Sequence, residues 1–212
     1  MRHEGIDLSN SKSLLVATTN PKKGTEMAQI LSLAGLDLKL VTLADFPSAP
    51  PVEETGETFA ENARLKAVAG VRQTGITSIA DDGGLVIDAL GGRPGVHSHR
   101  FLGADTSFVD KMEHILELLR GVPDARRTCR FRCAVAVMTP DGRVFESEGV
   151  CEGRIAQERR GANGFGYDPI FVLPDTGRHM AELTPEEKHA ISHRGKALAA
   201  AMPALRSLYS TP

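Results

Sequence analysis

Asp81 and Asp82 are adjacent carboxylates inside the stretch with the most chemical content, Ile76 to Phe101 (ITSIADDGGLVIDALGGRPGVHSHRF). A strand-like run precedes them, so they are expected at a strand end, where a side chain can face a cleft. Two carboxylates side by side repel, and both are easier to keep ionised beside a cation. An all-oxygen site of this kind suits Mg²⁺, which keeps several waters and takes one or two carboxylates plus phosphate oxygens from a substrate. The same residues are also good turn chemistry, because Asp bonds its own backbone and Gly tolerates positive φ. On these residues alone a hairpin is the simpler reading.

The elements that would position such chemistry can be read along the chain. Ser13 to Thr18 is a short apolar strand, and Thr19-Asn20-Pro21-Lys22-Lys23-Gly24 is a polar loop. Met27, Ile30, Leu31 and Ala34 then recur at helical spacing over Thr25 to Ala34, and Gly35 stops the helix. Strand, lysine-bearing loop and helix together can aim backbone N–H groups at an anion. The G-x-x-x-x-G-K-[ST] pattern is absent, and a solvated turn explains the loop equally well. Leu36 to Leu43 alternates as a second strand, and Ala44 to Val52 is a proline-rich loop. That loop delivers Glu53 and Glu54 to a helix over Phe59 to Val71, opened by a Thr58/Glu61 capping box. Asn62 and Lys66 lie four apart on one face of it. Taken singly, Glu54 is a solvated loop acid and Lys66 a solvated helix lysine.

Past the central stretch, Asp105 or Thr106 is expected to cap a structural helix carrying Phe108, Met112, Ile115, Leu116 and Leu119. Arg130 to Thr139 and Arg143 to Cys151 form a hairpin about Pro140-Asp141-Gly142. Phe131, Cys133 and Val135 share one face of its first strand; Arg130, Arg132 and Ala134 share the other. Gly161 to Phe171 (GANGFGYDPIF) lets backbone approach something flat or charged around Phe165 and Tyr167, or simply turns between strands. Thr184-Pro185-Glu186-Glu187 starts a helix, with Lys188 early in it. Ile191 to Gly195 interrupts or re-caps that helix, leaving His193 and Arg194 as surface residues or ligands.

Composition bounds the class. The chain has 212 residues, 41% hydrophobic and 25% charged, enough for one globular domain with a real core. No stretch approaches the ~20 apolar residues of a membrane span. Met1 to Lys12 has no apolar run, so a polar extension over residues 1–12 is expected, with no secretory leader. Cys129, Cys133 and Cys151 are an odd number, which points to buried free thiols in a reducing, cytoplasmic setting. The formal net charge of −2 leaves no electrostatic footprint for nucleic acid. The local run Arg126, Arg127, Arg130 and Arg132 reads as a solvated strand face or subunit edge.

Five motifs in one order carry a family resemblance: TTNPKK, ETGETFAENARLKA, IADDGGLVIDALGGRPGVHSHRF, GFGYDPIF and AELTPEEKHAISHRGKAL. From about Leu14 to about Leu205 the chain resembles the inosine triphosphate pyrophosphatase family, which hydrolyses non-standard purine nucleoside triphosphates such as ITP, dITP and XTP. The resemblance implies an α/β fold with a long mixed twisted sheet and two lobes about an active-site cleft. It implies one catalytic domain over residues 13–212, commonly in a homodimer. It places Thr18, Thr19, Asn20, Pro21, Lys22 and Lys23 on the triphosphate. Glu54 and Asp82 fall at a Mg²⁺ ion, with Asp82 also the candidate base and Asp81 a further candidate ligand. Lys66 and Gly83 lie close by in the cleft. Phe165, Gly166, Tyr167, Asp168, Lys188, His193 and Arg194 surround the nucleotide. Two positions depart from the common pattern: Gly83 stands where many members have Ser, and Thr19 where many have Gly.

The chemistry expected of such a site is attack of water on the α-phosphorus, with pyrophosphate leaving. Mg²⁺ and lysines would neutralise phosphate charge and a carboxylate would take the proton from water. Donors from His193 and Arg194 would bond a 6-oxo purine and oppose the 6-amino group of adenine, with Phe165 as a stacking surface. One alternative is a Maf-like pyrophosphatase of other base choice; the continuous Thr-Pro-Glu-Glu-Lys to Ser-His-Arg block argues against it. The other is a nucleotide-binding module without turnover, which has little need of clustered carboxylates beside a phosphate site.

Overall fold

The computed structural model describes residues 12–33, 35–36 and 38–209. All but the last residue of the expected extension lie outside that range. The elements are β1 (Ser13–Val16), α1 (Pro21–Leu33), β2 (Lys39–Thr42), α2 (Phe59–Thr74), β3 (Ser78–Ile87), α3 (Phe108–Leu118), β4 (Thr128–Met138), β5 (Val144–Ile155), β6 (Phe171–Val172), α4 (Pro185–Ile191) and α5 (His193–Tyr209). The strands make one six-stranded sheet in the order β2-β1-β3-β4-β5-β6. β1 runs parallel to β2 and β3, and the other neighbours are antiparallel, so the sheet is mixed as expected. Among the described residues no helix is long and apolar enough to cross a membrane.

Capping chemistry explains most helix starts. Thr58 Oγ1 accepts the Glu61 N–H and Glu61 reaches back to Thr58, as the capping box requires. Thr184 and Glu187 repeat the device at α4, with Pro185 in the first turn. Two starts differ from expectation. The α1 helix begins at Pro21 rather than Thr25, because Asn20 Oδ1 accepts the N–H groups of Lys22 and Lys23 at 3.1 and 3.2 Å. Lys23 therefore stands in the first helical turn, not in a loop. The α3 helix is capped by Ser107, whose Oγ accepts from the Asp110 N–H at 3.1 Å, and not by Asp105 or Thr106.

The larger correction concerns Asp-Asp-Gly-Gly. It makes no turn and ends no strand: β3 runs unbroken through it, pairing Asp81 with Val135, Asp82 with Ala134, Gly83 with Cys133 and Gly84 with Arg132. The glycines serve close approach. A Cβ on Gly83 would stand 2.6 Å from the Arg132 carbonyl oxygen. One on Gly84 would stand 2.6 Å from the Gly95 carbonyl and closer still to Ser98 Oγ. Because side chains alternate along a strand, Asp81 shares a face with Ile79 and Leu85, while Asp82 shares the other with Ala80. The two carboxylates thus point to opposite sides of the sheet.

That alternation assigns the layers. Inner positions of the first face, such as Leu14, Val16, Ile79 and Val135, pack under α1 and α5 with Met27 and Leu198. The outer half of the same face, with Leu85, Ile87 and Phe131, packs on Ile115 of α3 and Phe171 of β6. The opposite face carries α2, where Ala63 and Ala67 meet Ala80, Ala134 and Ala136. Cys129, Cys133 and Cys151 are free and buried, as expected. Arg130 and Arg132 do lie on a solvated strand face, paired with Asp88, Glu152 and Glu148. Arg127 does not: it is buried, and its guanidinium donates to the carbonyls of Leu119 and Ile155 at 2.8 Å and to that of Ala156.

Gly84→Ala should force β3 away from the Gly95–Ser98 segment. Thermal unfolding is expected to show a loss of about 2 kcal/mol or more, which for a chain of this size is roughly 4–8 °C in Tm. An unchanged Tm would mean that the two segments separate freely.

Candidate active site

A cavity of about 360 Å³ opens beyond the end of β1, within the usual range of small-molecule sites. One side is built by Thr18, Thr19, Asn20 and Lys23, together with Glu54, Lys66, Asp82 and Gly83. Lys66 reaches up from α2 and bonds Glu54 Oε1 at 2.6 Å and Asp82 Oδ1 at 3.2 Å. Asn62, one turn earlier, donates to Asp82 Oδ2 at 3.2 Å. On the other face of β3, Lys23 stands 3.5 Å from Asp81 Oδ2. The N–H of Leu85 points away from β4 and is taken by Ser98 Oγ at 2.9 Å. By the two-residue period of the ladder, the N–H of Gly83 points the same way, towards the cavity it lines.

Charge in this half is set by burial against the lysines. Burial raises the Asp82 carboxyl above its ordinary range, Glu54 and Asp81 add to the rise, and Lys66 and Lys23 only partly oppose it. Glu54 goes the other way: burial works against its charge, but Lys66, Lys23 and Arg100 outweigh burial and lower it. Burial alone would lower Lys66, yet Asp82, Asp81 and Glu54 hold it raised and charged.

The other half of the cavity is aromatic and basic. Asp168 Oδ2 accepts the Phe165 N–H at 2.9 Å and the Lys188 ammonium at 2.7 Å. Gly164, at φ +72°, lets the loop close over that carboxylate, where a Cβ would strike Asp168 Oδ2. Lys188 also stands 3.2 Å from Glu26 Oε1 and lies 4.6 Å from the Phe165 ring centre. Ser192 ends α4 and α5 begins at His193, the interruption read from the sequence. Both residues after the break are buried. The His193 ring stacks on Phe131 at 4.7 Å. Burial, with Arg194 and Lys188 adding, holds His193 well below its ordinary value, so its imidazole is neutral. Arg194 bonds Asp81 Oδ2 through Nε at 3.1 Å and Nη2 at 2.8 Å, and Glu26 through Nη1.

The structure brings nearly all of the expected residues to this one cavity. Pro21 and Lys22 do not line it; they form the first turn of α1. Asp81 does not line it either: it is fully buried beneath, under Arg194 and Lys23. Sequence reading missed Glu26, which looks like an ordinary helix acid and faces Arg194 and Lys188. It also missed Ser98, His99, Arg100, Phe108 and Phe131 in the wall. The HSHRF end of the central motif was the available signal for three of these. Ser98 is structural: its Oγ donates to Gly95 O at 2.7 Å, and its carbonyl accepts the Tyr167 hydroxyl at 2.8 Å, joining the two halves.

Among the described residues no group of three or more His, Cys, Asp or Glu side chains could hold a metal. Glu54 and Asp82 are instead a pair of hard oxygen donors on the cavity wall, joined through Lys66. Mg²⁺ takes one or two carboxylates and completes its shell with water and phosphate, so this pair fits it.

A mixed α/β sheet with lysines, two carboxylates and a capped helix start at one end of a cleft, and aromatic and basic groups at the other, defines a site for a phosphorylated aromatic ligand. The Ham1 family model matches residues 14–204, and the chain belongs to that family, in agreement with the motif resemblance. A dITP/XTP pyrophosphatase of Geobacillus kaustophilus is 52% identical over 187 residues, 88% of this chain and 91% of that protein. One of Desulforamulus reducens is 47% identical over 196 residues, 92% of this chain and 96% of that protein. The solved HAM1 protein of Coxiella burnetii superposes with a TM-score of 0.82 at 42% identity, covering 92% of this chain and 98% of that one. The nucleoside-triphosphatase / dITP/XTP pyrophosphatase of Mycobacterium abscessus gives 0.71 at 46% identity, covering 90% and 99%.

The two aspartates should contribute unequally to stability. Burial would raise the Asp81 carboxyl, but Lys23 and Arg194 outweigh it and hold it far below the ordinary Asp value. Its ionised form therefore stabilises the fold above that ordinary value, and the contribution is lost as pH falls below it. Asp81→Asn should cost about 3–5 kcal/mol at pH 7, and the gap to wild type should narrow below about pH 4. Asp82 is raised instead, so its ionisation opposes folding at neutral pH. Asp82→Asn removes that cost but leaves Lys66 with Glu54 alone, so its loss of Tm at pH 7 should be much smaller than that of Asp81→Asn. Melting curves of the three proteins at pH 7 and below pH 4 check both; a large loss of Tm in Asp82→Asn would contradict the assignment.

Proposed function

We propose that this chain hydrolyses non-standard purine nucleoside triphosphates (ITP, dITP, XTP) to the monophosphate and pyrophosphate. The observation that carries the reading is Lys66, which holds Glu54 and Asp82 on one cavity wall opposite the aromatic–basic end. The names of the Geobacillus and Desulforamulus relatives support the same substrate class.

Thr18, Thr19, Asn20 and Lys23 would receive the triphosphate at the start of α1, where the helix dipole and the Lys23 ammonium favour an anion. The Gly83 N–H adds a backbone donor where many relatives offer a hydroxyl. Glu54 and Asp82 would hold Mg²⁺, which when bound supplies charge neutralisation at the phosphate oxygens. Lys23, Lys66 and Arg100 would spread the charge of the departing pyrophosphate. Asp82, raised by its burial, is suited to take a proton from the attacking water. Asp81 serves by fixing Arg194.

For base choice, three of the five Arg194 N–H groups are spent on Asp81 and Glu26, which leaves two for a ligand. With Lys188 and a neutral His193 they form a wall of donors. Such a wall accepts the 6-oxo group of hypoxanthine or xanthine and opposes a donor to the 6-amino group of adenine. Phe165 offers its ring to the base. The same reading takes residues 13–212 as one catalytic domain of two lobes, working as a homodimer in the cytoplasm; the family resemblance and three buried unpaired thiols support it.

Ion-exchange analysis of products is expected to give IMP and pyrophosphate from ITP, only with Mg²⁺ present, and little turnover of ATP. IDP with orthophosphate would place attack at the γ-phosphorus and overturn the mechanism. Asp82→Asn should reduce turnover by about 100-fold or more; retention within a few-fold would remove Asp82 as base or ligand.

A further inference from the structure

Asn62 is fully buried and has no task in the scheme above. Its Oδ1 accepts the Gly56 N–H at 2.8 Å, and its Nδ2 donates to Asp82 Oδ2 at 3.2 Å and to Gly56 O at 3.4 Å. One helical turn on, Lys66 takes the other Asp82 oxygen at 3.2 Å and Glu54 at 2.6 Å. The two side chains therefore hold Asp82 by both oxygens and the Glu54–Gly56 segment by both ends. Gly56 is packed onto the amide, for a Cβ there would lie 2.7 Å from Asn62 Oδ1. A carboxamide suits the position: it offers a donor to the carboxylate and an acceptor to the N–H, which neither a carboxylate nor an amine does. Being neutral, it orients Asp82 without competing for its charge.

We propose that Asn62 is a positioning residue that sets the spacing between Glu54 and Asp82, and through it the affinity of that pair for a divalent cation. This rests on the assignment of those two carboxylates as cation ligands. Lys66 alone would draw both carboxylates into a closed ion pair. The second anchor at Gly56 stops the loop from following Glu54 inward.

The test is Mn²⁺ binding to the nucleotide-free full chain by titration calorimetry, for wild type, Asn62→Leu and Gly56→Ala. Circular dichroism serves as a fold check, and kcat and KM for ITP are measured against Mg²⁺ concentration. Both variants are expected to raise the Kd for Mn²⁺ about 10-fold or more, a usual cost of losing a partner that orients a ligand. The KM for ITP should move less than the Mg²⁺ requirement. Folded variants with unchanged Mn²⁺ affinity would overturn the proposal while leaving the ligand assignment intact. If Asn62→Leu fails to fold, Gly56→Ala, which leaves every carboxylate in place, decides alone. A wild type that binds no Mn²⁺ would overturn the ligand assignment itself, and this proposal with it.

Discussion

The structure hangs on the contact between Arg194 and Asp81, two residues 113 positions apart that meet with almost no exposure to water. Removing either partner leaves a charge stranded in the interior, so the start of α5 and the middle of β3 are not free to move independently. Glu26 and Lys188 extend the same network into α1 and α4, and Asp168 carries it to the loop around Phe165. Four distant segments thus become one body through charge as well as through apolar packing.

Each cation of the site has a carboxylate against it already: Lys66 with Glu54 and Asp82, Lys23 with Asp81, Lys188 with Asp168 and Glu26. The charges are set in place before a ligand arrives, so little reorganisation is needed when one does. The two aspartates divide this labour by facing opposite ways. One is neutralised structurally; the other is left at the cavity wall at some cost to the fold, as polar groups of functional sites often are.

Much of this was legible. The Thr58/Glu61 and Thr184/Pro185/Glu187 caps and the Ser192 break were read correctly, because these signals are local and physical. The five motifs located nearly every residue that lines the cavity. The errors share one cause, a distant partner overriding a local preference. Asp-Asp-Gly-Gly has the composition of a turn, but β4 pairs along all of it, and its glycines admit Arg132, Gly95 and Ser98, contacts that no local pattern reveals. Arg127 sits in a basic run yet is buried on three carbonyls. Glu26 is indistinguishable from a solvated helix acid until Arg194 comes near. The early start of α1 is a different case: Asn20-Pro21 was a readable cap.

The alternation of β3 also bears on how the gene can change length. Adding or removing one residue between Ser78 and Asp81 would exchange the faces of the two aspartates, presenting the structural one to the cavity and turning the other under Arg194. Strand content and pairing would survive such an event while the site would be inverted. The turn at Asp141-Gly142 stands beyond the ends of β4 and β5 and carries no such parity. Insertions and deletions among homologous genes should therefore be tolerated there and purged from the first half of β3.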